Sequence, residues 1–152
     1  MNPAIEIQLT IHSDKLRIVV ANRGEAEVRV WDRDNSWGWG MFSLLVAAPG
    51  SEQWSKLTAR PVRRTRNLPR ARTMPQGGRL EYDLRPGDPV WEGVEGIADS
   101  LDGPLHVRVR LSIPETAEAV EQNVFIGEAE SAPVLSTPPH AWLVGAPPEG
   151  VA

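Results

Sequence analysis

The chain has 152 residues, a common size for one domain with one hydrophobic core. It contains no cysteine, which excludes disulfide frameworks, thiolate metal sites and a thiol nucleophile. The formal net charge is -4, but positive residues concentrate between residues 56 and 85 and acids prevail after Pro86. Such an asymmetry bears on the partners of a protein and not on its fold.

The overall composition is typical of a β protein. The 14 prolines and 13 glycines lie between short apolar runs, as expected for strands that are joined by turns. The N-terminus enters an alternating run without a basic and apolar leader, which predicts that no signal peptide is present. No apolar run approaches the roughly 20 residues of a transmembrane helix. We therefore expect a cytoplasmic protein that does not associate with membranes.

Alternation of apolar and polar residues predicts four strands in the first half of the chain, because a period of two is expected when one strand face is buried. Residues 5–11 and 16–20 alternate on either side of a short turn, so they predict a hairpin. Further strands are expected at 28–30 and 41–46. Residues 32–40 are rich in Asp, Asn, Ser and Gly, which favours a loop.

The second half of the chain predicts further strands around a basic stretch with poor periodicity. Strands are expected at 80–84, 105–113 and 124–129, and the basic stretch could add strands within 54–63 and 64–67. Seven or eight strands at this spacing predict an all-β fold, most simply an immunoglobulin-like antiparallel β-sandwich.

Two units are expected in the chain. Residues 1–131 form the predicted sandwich domain, and residues 132–152 form a proline-rich tail that is extended along the surface or disordered.

Two runs carry a resemblance to a known family. The run LRIVVANRGEAEVRV at 16–30 and the run TMPQGGRLEYDL at 73–84 resemble the immunoglobulin-like accessory domains of bacteria, including the intracellular proteinase-inhibitor type. In such domains a strand ends in an Asn-x-Gly-like turn, and a Pro-Gly turn opens a later strand. The resemblance implies an immunoglobulin-like fold in a bacterial protein, and it bears on the fold more than on the function.

Catalytic motifs are missing from the sequence. There is no Gly-x-Ser-x-Gly elbow, no His-Glu-x-x-His and no phosphate-binding glycine loop. His12, His106 and His140 fall in a predicted turn, on the polar face of a strand and in the tail, and nothing in the sequence couples them. We therefore expect no enzymatic activity and no cofactor.

A calcium loop is also not expected. Asp32, Asp34 and Asn35 have oxygen ligands at suitable positions, but position six of such a loop would be Trp37 instead of glycine. The twelfth position would be Ser43 instead of glutamate. We expect these residues to stabilise a turn and to bind no metal.

The aromatic loop is the first candidate binding site. Trp37 and Trp39 are two residues apart and project to the same side of an extended segment, with Asp34 and Asn35 beside them for hydrogen bonding. Tryptophan is enriched at binding hot spots because its rigid ring buries a large area at small entropic cost. The alternative is that both rings close one end of the core.

The arginine segment is the second candidate site, with Arg63, Arg64, Arg66, Arg70 and Arg72 as its members. Their guanidinium groups suit carboxylates on an acidic protein surface. Nucleic acid is not expected, because the net charge is negative and no aromatic residues are interleaved for stacking. The alternatives are ion pairs with the acids after Pro86 and a solvated edge strand.

These observations predict a non-catalytic module that binds another protein, most specifically an inhibitor or immunity protein. Two alternatives remain open. One is a carbohydrate-binding module that stacks exposed tryptophans on sugar rings, and the other is a structural subunit of a homo-oligomer.

Overall fold

The computed structural model describes residues 5–34, 38–62 and 69–145. Their secondary structure is mostly β, and all strand pairs between named strands are antiparallel, which confirms the all-β prediction. The strands are β1 (Ile5–Ile11), β2 (Leu16–Asn22), β3 (Val28–Trp31), β4 (Phe42–Ala47), β5 (Ser55–Ala59), β6 (Ala71–Met74), β7 (Arg79–Leu84), β8 (Trp91–Glu92), β9 (Leu105–Ile113), β10 (Gly127–Glu130) and β11 (Val134–Ser136). The helices are a 3₁₀-helix (Val94–Ser100), α1 (Ala117–Glu121) and α2 (Ala141–Val144).

The strands of the described ranges form three sheets. The first has the order β1-β2-β7, and the second has the order β10-β9-β4-β5-β8, with β11 also paired to β9. The third consists of β3 and β6. Residues on the inner faces of these sheets belong to one hydrophobic core.

Strand β9 shows how the sequence specifies this core. Its five apolar residues are buried, and the polar residues between them are half-buried on the opposite face. Each fully buried side chain of this size contributes about 1.5–3 kcal/mol relative to solvent exposure. The buried residues are Leu105, Val107, Val109, Leu111 and Ile113.

The predicted N-terminal hairpin is confirmed. Strands β1 and β2 pair in antiparallel register from Ile5 opposite Asn22 to Ile11 opposite Leu16. The His12 amide closes the turn by donating to the Lys15 carbonyl oxygen at 2.9 Å. The alternation therefore specifies both the strands and their register.

The basic stretch differs from its prediction. Strand β5 covers only residues 55–59 of the predicted 54–63 strand, and the predicted strand at 64–67 lies outside the described residues. Strand β6, at 71–74, was not predicted, because only its last residue, Met74, is fully buried. Strand β6 is held by backbone pairing with β3, which does not require apolar and polar side chains to alternate.

The C-terminal part also differs. The last predicted strand, 124–129, is observed three residues later as a shorter strand, β10 at 127–130, with α1 before it. The predicted tail begins at residue 132, yet β11 pairs with β9, and α2 buries Trp142. Residues 134–144 are therefore packed on the domain, and residues 146–152 lie outside the described part of the chain.

A chain of buried hydrogen bonds holds this C-terminal segment in place. Trp142 Nε1 donates to Ser136 Oγ at 2.7 Å, and Ser136 Oγ lies 2.7 Å from His140 Nδ1. His140 Nε2 lies 2.8 Å from the Gly103 carbonyl oxygen. Since that carbonyl can only accept, Nε2 carries the proton and donates to it, and Nδ1 accepts from the serine hydroxyl.

We expect Ser136→Ala to destabilise the fold, because it leaves the Trp142 N–H and His140 Nδ1 without partners in the core. The expected loss of unfolding free energy is about 1–3 kcal/mol for each unsatisfied group. Ser112→Ala is the matched control, since the Ser112 hydroxyl makes an exposed contact with Glu128 at 3.4 Å. Its effect should stay within about 0.5 kcal/mol. Equal losses in urea denaturation would contradict the role assigned to Ser136.

Candidate binding site at the Trp39 corner

Pairing of β3 with β6 brings the aromatic loop and the arginine segment together. Val30 lies opposite Arg72, and the Asp32 amide donates to the Arg70 carbonyl oxygen at 2.8 Å. Arg70 Nη1 also lies 3.8 Å from Asp32 Oδ2. The two sites that the sequence predicts separately therefore meet at one corner, here called the Trp39 corner, made of Asp32, Arg33, Asp34, Trp39, Arg60, Arg70 and Arg72.

Arg33 lies at the centre of this corner and was not predicted. The residue is only 7 % exposed. Its Nη2 donates to Asp88 Oδ1 at 3.3 Å, and its Nη1 lies 3.9 Å from Asp34 Oδ1. Its guanidinium carbon stacks 4.4 Å from the centroid of the Trp39 ring. The only sequence signal is its position between two aspartates, which equally suits a solvated turn.

Trp39 is half-buried, between the two alternatives that the sequence left open. Its Nε1 donates to the Arg60 carbonyl oxygen at 2.8 Å. Gly38 precedes it at a place where an added Cβ would overlap the Asp32 carbonyl oxygen, so the loop can close there only with glycine. Backbone and side-chain contacts together hold the ring in one position at the surface.

The other tryptophans within the described ranges divide into core and surface residues. Trp31, Trp91 and Trp142 are buried in the core. Trp54 is half-buried like Trp39, and the Arg108 guanidinium stacks 4.4 Å from its ring centroid. It therefore repeats the tryptophan–arginine stack of the corner on the outer face of the six-stranded sheet.

An apolar groove of about 250 Å³ borders Trp39. Its lining residues are Trp39, Gly40, Ala59, Pro61 and Val62. Val62 is 48 % exposed, which is high for a large apolar side chain. The groove thus exposes apolar surface next to a tryptophan that is already held in place.

A second cavity, here called the polar recess, also borders Arg33. It has a volume of about 290 Å³ and is lined by Asp32, Arg33, Asp34, Arg72, Glu81, Tyr82, Asp83 and Asp88. Tyr82 is 7 % exposed, and burial raises its pKa from 10.0 to about 12. Arg33 therefore lines the polar recess and also stacks on Trp39, which borders the apolar groove.

Several arginines of the region take part in internal ion pairs. Arg33 contacts Asp88, and Arg60 Nε lies 3.8 Å from Glu92 Oε2. Pairing with the acids that follow Pro86 thus accounts for part of the charge asymmetry. The Arg60 and Arg70 side chains are nevertheless 62 % and 74 % exposed, so they remain accessible to a partner.

The structure brings four of the predicted site residues to this corner, namely Asp34, Trp39, Arg70 and Arg72. The other five lie outside the described residues, namely Asn35, Trp37, Arg63, Arg64 and Arg66. Sequence reasoning missed Arg33 and Tyr82. In the sequence, Arg33 resembles any arginine of a solvated loop, and Tyr82 resembles any aromatic residue of the core.

Within residues 5–34, 38–62 and 69–145, no group of three or more His, Asp or Glu side chains is arranged to hold a metal ion. No helix in these ranges is both long and apolar enough to cross a bilayer. Comparisons with protein-family models, with curated proteins and with solved structures found no match to this chain.

The raised pKa of Tyr82 predicts a loss of stability in alkali. The unfolded chain ionises this phenol near pH 10, while the folded protein keeps the proton until about pH 12. The contribution of the neutral phenol to the free energy of unfolding is therefore complete below pH 10 and is lost as the pH rises to 12.

Tyr82 is the single tyrosine of the chain, so absorbance of tyrosinate follows it alone. We expect a midpoint near pH 12 in the folded protein and near pH 10 in urea. Tyr82→Phe should lack this absorbance change and show a weaker alkaline loss of stability. A folded-state midpoint at the ordinary value would contradict the assignment.

Proposed function

We propose that the protein is a non-catalytic, immunoglobulin-like β-sandwich that binds another protein through the Trp39 corner. The strand order supports the fold assignment. The order β1-β2-β7 corresponds to strands A, B and E of such a domain, and β10-β9-β4-β5 corresponds to G, F, C and C′. Strand β3 is then an addition to this pattern, and β6 pairs with it instead of extending the first sheet as strand D.

The observation that carries the binding proposal is a tryptophan held in place beside an exposed apolar groove. Arg33 stacks on the Trp39 ring, and the Arg60 carbonyl oxygen accepts the indole N–H. Because the ring is already ordered, little side-chain entropy is lost when a partner covers it. Rigid aromatic anchors beside pockets are typical of binding hot spots.

The partner that best fits this corner has an apolar side chain surrounded by carboxylates. The apolar side chain would fill the groove next to Val62, and the carboxylates would face Arg60 and Arg70, the exposed arginines of the Trp39 corner. Guanidinium groups suit carboxylates because both oxygens can be contacted in one plane. An enzyme or toxin with such a surface would make the protein an inhibitor or immunity protein.

A non-catalytic role agrees with the environment of the serine–histidine pair. Ser136 Oγ already accepts the Trp142 N–H and contacts His140, and both Ser136 and His140 are buried. A serine nucleophile must be accessible to its substrate as well as to a base, and Ser136 is only 2 % exposed although it borders a cavity of about 370 Å³. Here the same contacts fix the C-terminal segment on the sheet.

Trp39→Ala should weaken partner binding by at least about 2 kcal/mol, or roughly 30-fold, because it removes the anchor of the groove. The partner would first be captured from native cells with tagged protein and then purified for calorimetry. Trp54→Ala is the matched control, since it removes a ring that is also half-buried and has the same 4.4 Å arginine stack. A larger loss with Trp54→Ala would move the interface to the six-stranded sheet and refute the proposal.

The exposed arginines of the Trp39 corner should act mainly on the rate of association. Arg70→Gln should slow association and reduce its dependence on ionic strength, with a small change in the dissociation rate. Arg23→Gln is the control, because Arg23 is also exposed and also contacts a carboxylate, Glu6, at 2.8 Å. If both variants changed surface-plasmon-resonance kinetics equally, the effect would reflect net charge and not the corner.

A further inference from the structure

The hydroxyl of Tyr82 is the observation that points to a second kind of ligand. The residue is 7 % exposed, and its oxygen has no hydrogen-bond partner in the part of the chain that the structure describes. The ring packs edge-on against Phe42, with centroids 5.0 Å apart and an interplanar angle of 68°. Phenylalanine could make the same ring contact without burying an unpaired hydroxyl, which destabilises a folded protein. The hydroxyl is therefore better explained by binding than by packing.

Tyr82 borders a cavity in which a ligand could contact its hydroxyl. Tyr82 lines the polar recess together with Asp32, Asp34 and Arg72, and the charges of these three residues act on the ionisation of its phenol. Strand β7 directs Tyr82 inward beside Leu80 and Leu84, so the ring emerges from the core into the recess. A buried donor and acceptor thus borders a cavity that is otherwise lined by charged groups.

The charges of the polar recess are balanced. Five carboxylates and two arginines line it. Three further cations, Lys15, Arg17 and Arg70, contact two of those carboxylates. Equal numbers of positive and negative groups give no preference for a strongly charged ligand. They do offer acceptors and donors side by side, which suits a molecule whose groups both donate and accept.

We infer that the polar recess binds a small uncharged polyhydroxylated molecule, of the size of a monosaccharide or a cyclitol. Each hydroxyl of such a molecule can donate to a carboxylate and accept from a guanidinium or from Tyr82. The volume of about 290 Å³ lies near the lower end of the range for small-molecule sites, roughly 300–1,000 Å³. This site is separate from the apolar groove, and Arg33 lies between them.

Calorimetry with glucose, galactose, mannose and myo-inositol tests the inference. At least one of these should bind the wild-type protein, and Tyr82→Phe should reduce that affinity tenfold or more. The same substitution should leave thermal stability unchanged or higher, because it removes a buried unpaired group. Loss of binding with no loss of stability distinguishes a ligand contact from a packing role.

Two further variants place the ligand. Arg72→Gln should weaken polyol binding, whereas Arg79→Gln should not, since Arg79 is exposed and does not line the recess. Trp39→Ala should retain polyol binding, so failure of this inference and failure of the protein-binding proposal can be told apart. Binding should also shift the tyrosinate titration of Tyr82, the single tyrosine.

Three results would overturn the inference. One is that none of the four polyols binds at tens of millimolar, which would mean that the recess holds water only. Another is that spermidine or inorganic phosphate binds there and the polyols do not. The third is that polyol binding is unchanged in both Tyr82→Phe and Arg72→Gln, which would place the ligand elsewhere on the domain.

Discussion

The guanidinium of Arg33 is almost completely withdrawn from solvent, and the architecture of the Trp39 corner depends on how that charge is compensated. A buried cation is tolerated only when it is paired and hydrogen-bonded. Asp88 supplies a hydrogen bond at 3.3 Å, and the π face of Trp39 supplies the stacking contact. Asp88 follows β7, and Trp39 follows β3 in the chain. One charged group therefore holds two distant loops in a common arrangement.

This arrangement also explains why one corner has two different cavities. Arg33 lines the polar recess, and its guanidinium carbon lies over the Trp39 ring, 4.4 Å from the ring centroid. Trp39 in turn borders the apolar groove. The polar and apolar cavities are thus separated by a single stacked pair of side chains, with Arg33 lining the recess and Trp39 lining the groove. A chemically mixed corner of this kind is well suited to a specific partner.

Alternation predicted the strands of the core well, because burial of one face leaves a period of two in the sequence. This holds for β1, β2, β7 and β9, whose inner residues are nearly all buried. It fails for β6 and β11, which are short and are held by pairing with neighbouring strands. Backbone pairing does not depend on which side chains alternate, so the sequence pattern does not show it. The C-terminal segment is held by the hydrogen bonds of Ser136, His140 and Trp142, which have no periodicity in the sequence.

The candidate site was predictable in its residue types but not in its assembly. A pair of loop tryptophans, Trp37 and Trp39, and a run of arginines both suggest binding, and the sequence treats them as two sites more than 20 residues apart. Only the β3–β6 ladder brings Asp32 within 3.8 Å of Arg70. Arg33 acquires its importance from burial, which sequence pattern assigns to apolar residues. The burial of Tyr82 follows from the alternation of β7, but the surroundings of its hydroxyl do not. The charge of Arg33 is compensated by Asp88 and Trp39, which are neighbours in space but not in the sequence. The sequence pattern therefore does not identify Arg33 as the residue that organises this corner.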